Sequence, residues 1–70
     1  MIKADTYKVT RYNPYTVQAD LLADTKAEVE RGDSVRGLPA DTELAMGSSV
    51  FCIATGEVAF MDSEGTWHWQ

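Results

Sequence analysis

Trp67, His68 and Trp69 form the triplet with the most recognition chemistry in this 70-residue chain. Alternate residues of a β-strand point to the same side, so the two tryptophans would project together and His68 would project the opposite way. Paired indole rings can stack on a sugar, anchor a protein interface or cover the core of a very small domain. The sequence leaves these three interpretations open.

Cys52 and His68 are the remaining residues with metal-binding or nucleophilic potential. They are the only cysteine and the only histidine, and two ligands are too few for a structural zinc site. One cysteine also excludes an intrachain disulfide, and no nucleophile-elbow motif is present. The carboxylates lie mostly where turns and solvated faces are expected. We therefore expect no enzyme, no cofactor and no metal.

Charge is unevenly distributed along the chain. Residues 1–36 carry all six Lys and Arg side chains and six of the eleven acids, whereas residues 37–70 carry no cation and account for the net charge of −5. Nucleic acids bind to basic surfaces, so they are not expected as partners. No segment approaches the roughly 18 consecutive apolar residues of a membrane span, and the start lacks the apolar core of a signal peptide. A soluble protein without membrane contact is expected.

The length predicts one domain, residues 1–70, near the lower size limit for a self-sufficient core. Disulfides and structural zinc are the usual additional sources of stability in chains this small, and neither can form here within one chain. Association with another copy or with a larger partner is the remaining source. Composition therefore favours a component of an assembly.

The region from Gly47 to Gln70 contains the element that positions the tryptophans. Its three apolar runs, divided by turn residues, predict a three-stranded β-meander. The runs cover residues 49–54, 57–61 and 66–69, and the turns are Thr55-Gly56 and residues 62–65.

A two-residue turn followed by a four-residue loop gives this meander a register that gathers six large side chains on one face. We expect this face to be core or interface. Its residues are Phe51, Ile53, Val58, Phe60, Trp67 and Trp69. The opposite face would carry the smaller Val50, Cys52, Ala54, Ala59, Met61 and His68. Three-residue loops with a glycine bulge are the alternative, and they would invert the parity of each pairing and move Val58 and Phe60 beside Cys52.

The first half of the chain predicts two further strands. Thr6 to Tyr12 alternates bulky and polar β-formers, Asn13-Pro14 interrupts the pattern, and a second strand runs from Tyr15 to about Leu22. Tyr12 and Tyr15 flank the interruption and are, with His68, candidate partner-facing residues.

Residues 23–31 fit either a short helix or an extended chain. In a helix, Thr25 and Glu28 would form a capping box, and Gly32 would end it. Gly32 to Gly47 reads as a connection with one short strand near Leu44 to Met46. The predicted fold class is mainly β, a small antiparallel sheet or sandwich with a C-terminal meander and room for one helix near residues 24–31.

The second half of the chain resembles small structural proteins of tailed bacteriophages and prophages, of the head-decoration, head-fibre or tail-associated type. The resemblance is carried by Leu38-Pro39, Gly47-Ser48-Ser49 and the segments ATGEV (54–58) and FMDSEGTW (60–67). It covers about residues 38–70. It implies a non-enzymatic virion component, made in the bacterial host cytoplasm, that binds capsid, fibre or tail proteins and self-associates. No functional residue is carried over, because the match is a folding pattern.

Two alternative functions come from other features of the sequence. The cation-free half from Gly37 onwards would suit a small acidic phage-type inhibitor that mimics nucleic-acid phosphates on a host protein. Trp67 and Trp69 would suit a carbohydrate-binding module. Either function would replace virion assembly as the role of the chain.

Overall fold

Seven strands and one helix follow one another in the computed structural model, which describes residues 1–70. They are β1 (Ile2–Tyr12), β2 (Tyr15–Ala23), α1 (Lys26–Arg31), β3 (Val35–Arg36), β4 (Glu43–Leu44), β5 (Ser49–Cys52), β6 (Val58–Met61) and β7 (Trp67–Trp69). The predicted mainly β fold with a C-terminal meander and one short helix is confirmed. β1 begins earlier than the predicted Thr6, and β4 is shorter than predicted.

The β1–β2 hairpin forms the centre of the sheet, and Asn13-Pro14, joined by a cis peptide bond, makes its turn. The other edge of β2 pairs in parallel with β4 at Thr16 and Val17, and then in parallel with β5 from Asp20 to Ala23. The strand order is β3-β1-β2-β5-β6-β7, with β4 also beside β2. The structure is therefore one mixed sheet, whereas we expected an antiparallel sheet or a sandwich. The parallel pairs arise because α1 returns the chain to the outer side of β1, where β3 runs parallel to β1, and the connection after β3 then carries it to the free side of β2, where β4 and β5 run parallel to β2.

Ser48 completes the hydrogen bonding of β2 between its two short partners. The Ala45 amide donates to the Val17 carbonyl at 2.7 Å, and the Ala19 amide donates to Ser48 Oγ at 3.1 Å. Ser48 is fully buried. A side-chain oxygen thus satisfies a buried backbone donor where the ladder changes from β4 to β5.

Helix α1 is fixed at both ends by the residues that predicted it. Glu28 accepts hydrogen bonds from the backbone amides of Asp24 and Thr25 at 2.7 and 3.0 Å. Gly32 ends the helix in the left-handed region with φ 76°. Of the two alternatives for residues 23–31, the short helix with its capping box is the one observed. The amino-terminal ammonium of Met1 also bonds to Glu28, and this contact is the main cause that lowers the pKa of the carboxyl.

The core lies on one face of the sheet, here called the inner face, and α1 packs over part of it. Its side chains come from alternate positions of β2, β5 and β6, together with β1 and α1, so the core follows the two-residue period of the strands. The buried apolar residues are Ile2, Val17, Ala19, Leu21, Ala23, Val29, Val50, Cys52 and Ala59.

The predicted two-residue turn between β5 and β6 is wrong. The Cys52 amide donates to the Glu57 carbonyl at 2.8 Å, which leaves a four-residue loop, and Phe51 pairs with Val58 instead of Phe60. In the longer loop the residue with positive φ is Gly56, at 75°. A two-residue turn would have required a positive φ at Thr55, which a β-branched side chain disfavours. Two extra residues preserve parity, so Phe51, Val58 and Phe60 remain on one face.

The predicted four-residue loop between β6 and β7 is also wrong, and here parity changes. The Asp62 amide donates to the Thr66 carbonyl at 3.0 Å, so the loop has three residues and ends at Gly65 with φ 84°. Trp67 pairs with Met61 and Trp69 with Ala59. Both tryptophans therefore lie on the inner face, opposite the phenylalanines with which they were grouped. The alternative of a three-residue loop with a glycine bulge is therefore right for the β6–β7 loop and wrong for the β5–β6 loop.

Candidate protein-interaction face

The side of the sheet opposite the core carries a continuous group of large apolar side chains. Leu22, Phe51 and Val58 are direct neighbours across β2, β5 and β6. Phe60 follows Val58 two residues along β6, and Ile53 continues the outward alternation of β5. Phe51, Phe60 and Ile53 are 43%, 46% and 59% exposed. We call these five residues the outer apolar face.

A row of polar side chains runs beside the outer apolar face and fixes its border. Thr6 Oγ1 and Ser49 Oγ both donate to the Asp20 carboxylate, at 3.0 and 2.8 Å. Ser49 in turn pairs with Phe60 across β5 and β6. The Asp20 carboxylate is thereby held in one position on three adjacent strands.

His68 and Asp62 lie at the border of the outer apolar face on the side of β7. His68 pairs with Phe60 across β6 and β7, and its Nε2 lies 2.7 Å from Asp62 Oδ2. Asp62 Oδ1 also accepts from the backbone amides of Glu64 and Thr66, each at 2.9 Å. One carboxylate therefore fixes both the β6–β7 loop and the histidine ring.

These hydrogen bonds shift the titration of Asp62. The Thr66 amide is the largest cause, followed by the His68 ring, and together with the Glu64 amide they lower the pKa of Asp62 from 3.8 to about 2. Partial burial acts in the opposite direction. The carboxylate therefore stays ionised throughout the pH range in which proteins usually function.

The residues predicted as core or interface divide between the two faces. Four of them belong to the outer apolar face, whereas Trp67 and Trp69 are half-buried against the core. The four are Phe51, Ile53, Val58 and Phe60. Lys26 Nζ sits 4.7 Å from the centre of the Trp69 ring and 3.4 Å from the Glu57 carboxylate. The lysine of α1 therefore covers one face of that ring.

The three candidate partner-facing residues are not brought together. Tyr12 and Tyr15 lie at the tip of the β1–β2 hairpin with ring centres 6.1 Å apart, and His68 lies on β7 at the far edge of the sheet. Tyr12 is almost wholly exposed, while Tyr15 packs against the core. Only Tyr12 and His68 are accessible, on separate parts of the surface.

Leu22 is the member of the outer apolar face that sequence reasoning missed. Its parity with Gln18 and Asp20 indicates an outward side chain, which is what the structure has. Its neighbour Phe51 follows only from the parallel pairing of β2 with β5, which joins residues far apart in the chain. No local pattern contains that information.

Neither a metal cluster nor a membrane-spanning helix is part of this structure. No group of three or more His, Cys, Asp or Glu side chains could hold a metal ion, and no helix has the length and apolarity that crossing a bilayer requires. Comparisons with family models, with curated proteins and with solved structures found no match. The chain's own geometry is therefore the basis for a functional proposal.

Proposed function

We propose that this protein is a non-enzymatic structural component of a tailed-phage virion, which binds other virion proteins and a second copy of itself. The observation that carries the proposal is the outer apolar face, on which Leu22, Phe51, Ile53 and Phe60 are exposed and Val58 is partly buried among them. Contiguous apolar surface of this kind marks interaction sites on soluble proteins. Covering it would remove apolar area from water at about 25 cal/mol per Å².

The resemblance of residues 38–70 to phage head-decoration, head-fibre and tail-associated proteins supports placement in a virion. In the structure this segment supplies Phe51, Ile53, Val58 and Phe60, four of the five residues of the outer apolar face. Capsid, fibre or tail proteins are therefore the proposed partners. Synthesis in the bacterial host cytoplasm precedes assembly into the particle.

An open sheet edge gives a second route to self-association. β3 pairs with β1 only at Ile2 and Lys3, so one side of β1 from Asp5 onwards has no neighbouring strand. An unpaired edge presents backbone donors and acceptors to another chain. Edge pairing would extend the sheet between copies and leave the outer apolar face continuous.

The two alternative functions receive less support. An acidic nucleic-acid mimic needs uncompensated carboxylates on one surface, but Glu57 is paired with Lys26, and the unpaired Asp41, Glu43 and Glu64 lie on three different segments, the β3–β4 connection, β4 and the β6–β7 loop. A carbohydrate platform needs two exposed rings, but Trp67 and Trp69 are half-buried and Lys26 covers Trp69. Virion assembly uses the surface that is exposed.

The proposal is tested by the protein inventory of purified phage particles from a host that produces this chain. Quantitative mass spectrometry of gradient-purified particles should find the chain at a fixed copy number per major capsid protein. A non-structural phage protein from the same lysate controls for carry-over. Particles that lack the chain, or a chain found only with a host protein, would contradict the proposal.

A further inference from the structure

A concave surface lies on the inner side of the sheet, away from the outer apolar face. It is a cleft of about 460 Å³ between the α1–β3 segment and the β6–β7 hairpin, a size typical of binding sites, which span about 300–1,000 Å³. Its floor is formed by Ile2, Leu21 and Val50, and its walls by Val29 and Val35 on one side and Met61 and Trp67 on the other. Ile2, Leu21 and Val50 are at most 3% exposed, so the apolar surface that a ligand would meet is that of the partly exposed Val35, Met61 and Trp67.

Strand β7 borders the cleft with an unpaired edge. It pairs only with β6, and the Thr66 carbonyl and the Gln70 amide both bond to that strand. Backbone groups alternate in direction along an antiparallel strand. The N–H and C=O groups of Trp67 and Trp69 therefore point away from β6, towards the position of a further strand.

The charged residues of the cleft are acidic. Glu30 and Asp33 belong to its lining, which contains no Lys, Arg or His. Arg31 is nearby, but its guanidinium is engaged by Asp33 through Nε at 2.7 Å. Glu30 is exposed on α1 and has no cation partner in the structure. Arg31 compensates Asp33, so Glu30 is the uncompensated charge at the cleft, and an apolar lining bordered by this exposed carboxylate complements an apolar ligand that carries positive charge.

We propose that the cleft binds an extended segment of another protein, in which alternate residues are apolar and a Lys or Arg follows them, and that this segment adds a strand to β7. Side chains on one side of an added strand recur every second residue and would enter the cleft. Its backbone would bond to Trp67 and Trp69, as in other cases of strand addition. The inference uses a different surface from the virion proposal and stands without it.

A random decapeptide display library, selected on the folded chain, tests this site. Selection should enrich peptides with alternating apolar residues and a flanking Lys or Arg. When a selected peptide is added to the labelled protein, the amide resonances of Trp67 and Trp69 should shift, while those of Phe51 and Phe60 should not. No enrichment, or shifts confined to the outer apolar face, would overturn the proposal.

Two matched controls separate charge recognition from strand addition. Glu30→Lys should weaken binding of a selected peptide by about three- to tenfold, whereas Glu43→Lys, the same change outside the cleft, should leave it unchanged. N-methylation of the peptide amides that face β7 should abolish binding, and methylation of the intervening amides should not. Equal effects of the two lysine variants, or of the two methylation patterns, would overturn the proposal.

Discussion

The two faces of β5 differ in a way that side-chain size alone does not predict. Val50 on the inner face is fully buried, whereas the larger Phe51, one residue further, is 43% exposed. The inner face is covered by α1 and by the half-buried tryptophans of β7, so the strands beneath it carry small residues such as Ala19 and Ala59. The outer face has no covering element within the chain. Burial therefore follows which face has a covering layer, and the large side chains of Phe51, Ile53 and Phe60 stay exposed.

The largest expected effect is on association through the outer apolar face. Phe51→Lys would place a charge in the middle of a contact between copies, and truncation of such central aromatic residues commonly costs 2 kcal/mol or more, about 30-fold in affinity. Sedimentation equilibrium of wild type and variant measures this change. Met46→Lys is the control, because Met46 is 67% exposed and lies in the β4–β5 connection, outside both the outer apolar face and the open edge of β1. Equal association of both variants would show that the outer apolar face is not the surface of association.

The second prediction uses one replacement residue at neighbouring positions. Val50→Thr buries a hydroxyl without a partner and should lower the free energy of unfolding by about 1–3 kcal/mol. Phe51→Thr removes a larger side chain from a half-exposed position and should cost about 1 kcal/mol or less in the monomer. Urea unfolding at low protein concentration measures both. A larger loss for Phe51→Thr would mean that the outer face stabilises the isolated chain.

The two neighbouring serines provide a smaller version of the same comparison. Ser48→Ala leaves the buried Ala19 amide without an acceptor, which should cost about 1–2 kcal/mol of unfolding free energy. Ser49→Ala removes an exposed hydrogen bond to Asp20 and should cost about 0.5 kcal/mol. Urea unfolding again gives both values. Similar losses would show that Ser48 is not needed where β2 changes partner.

The smallest expected effect concerns the border of the outer apolar face at Asp62. Its pKa is lowered to about 2, so the stability that it contributes is present above pH 4 and is lost as the pH falls through about 2. A carboxyl NMR titration should give this midpoint, with the Thr66 amide following it. In His68→Ala the midpoint should rise but stay below 3.8, because the Thr66 amide is the largest cause. A midpoint at 3.8 in the wild type would contradict the loop geometry.

Local features of this fold were predictable from the sequence, and their relative arrangement was not. The capping box of Thr25 and Glu28, the glycine that ends α1 and the break at Asn13-Pro14 each depend on neighbouring residues only. The face of Trp67 depends on whether one loop has three or four residues, since a single residue inverts every side chain that follows. The sequence DSEG is compatible with both lengths, and the capping of two loop amides by Asp62 decides between them.

Long-range pairing accounts for the remaining differences. The neighbours Leu22 and Phe51 come together through a parallel pair of strands separated by α1, β3 and β4. The inner cleft likewise needs α1 and the side chain of Trp67 to lie on the same face of the sheet. Alternation along each strand predicted which residues share a face. It could not predict which of the two faces would be covered.

The central claim, that the outer apolar face is the surface that binds virion proteins, is tested most directly by incorporation of variants into phage particles. The copy numbers of wild type, Phe51→Lys and Met46→Lys are measured by mass spectrometry in purified particles, after circular dichroism has shown that all three chains fold. We predict that wild type and Met46→Lys are present at the same copy number and that Phe51→Lys is reduced at least tenfold. Incorporation of Phe51→Lys at the wild-type level would contradict the claim.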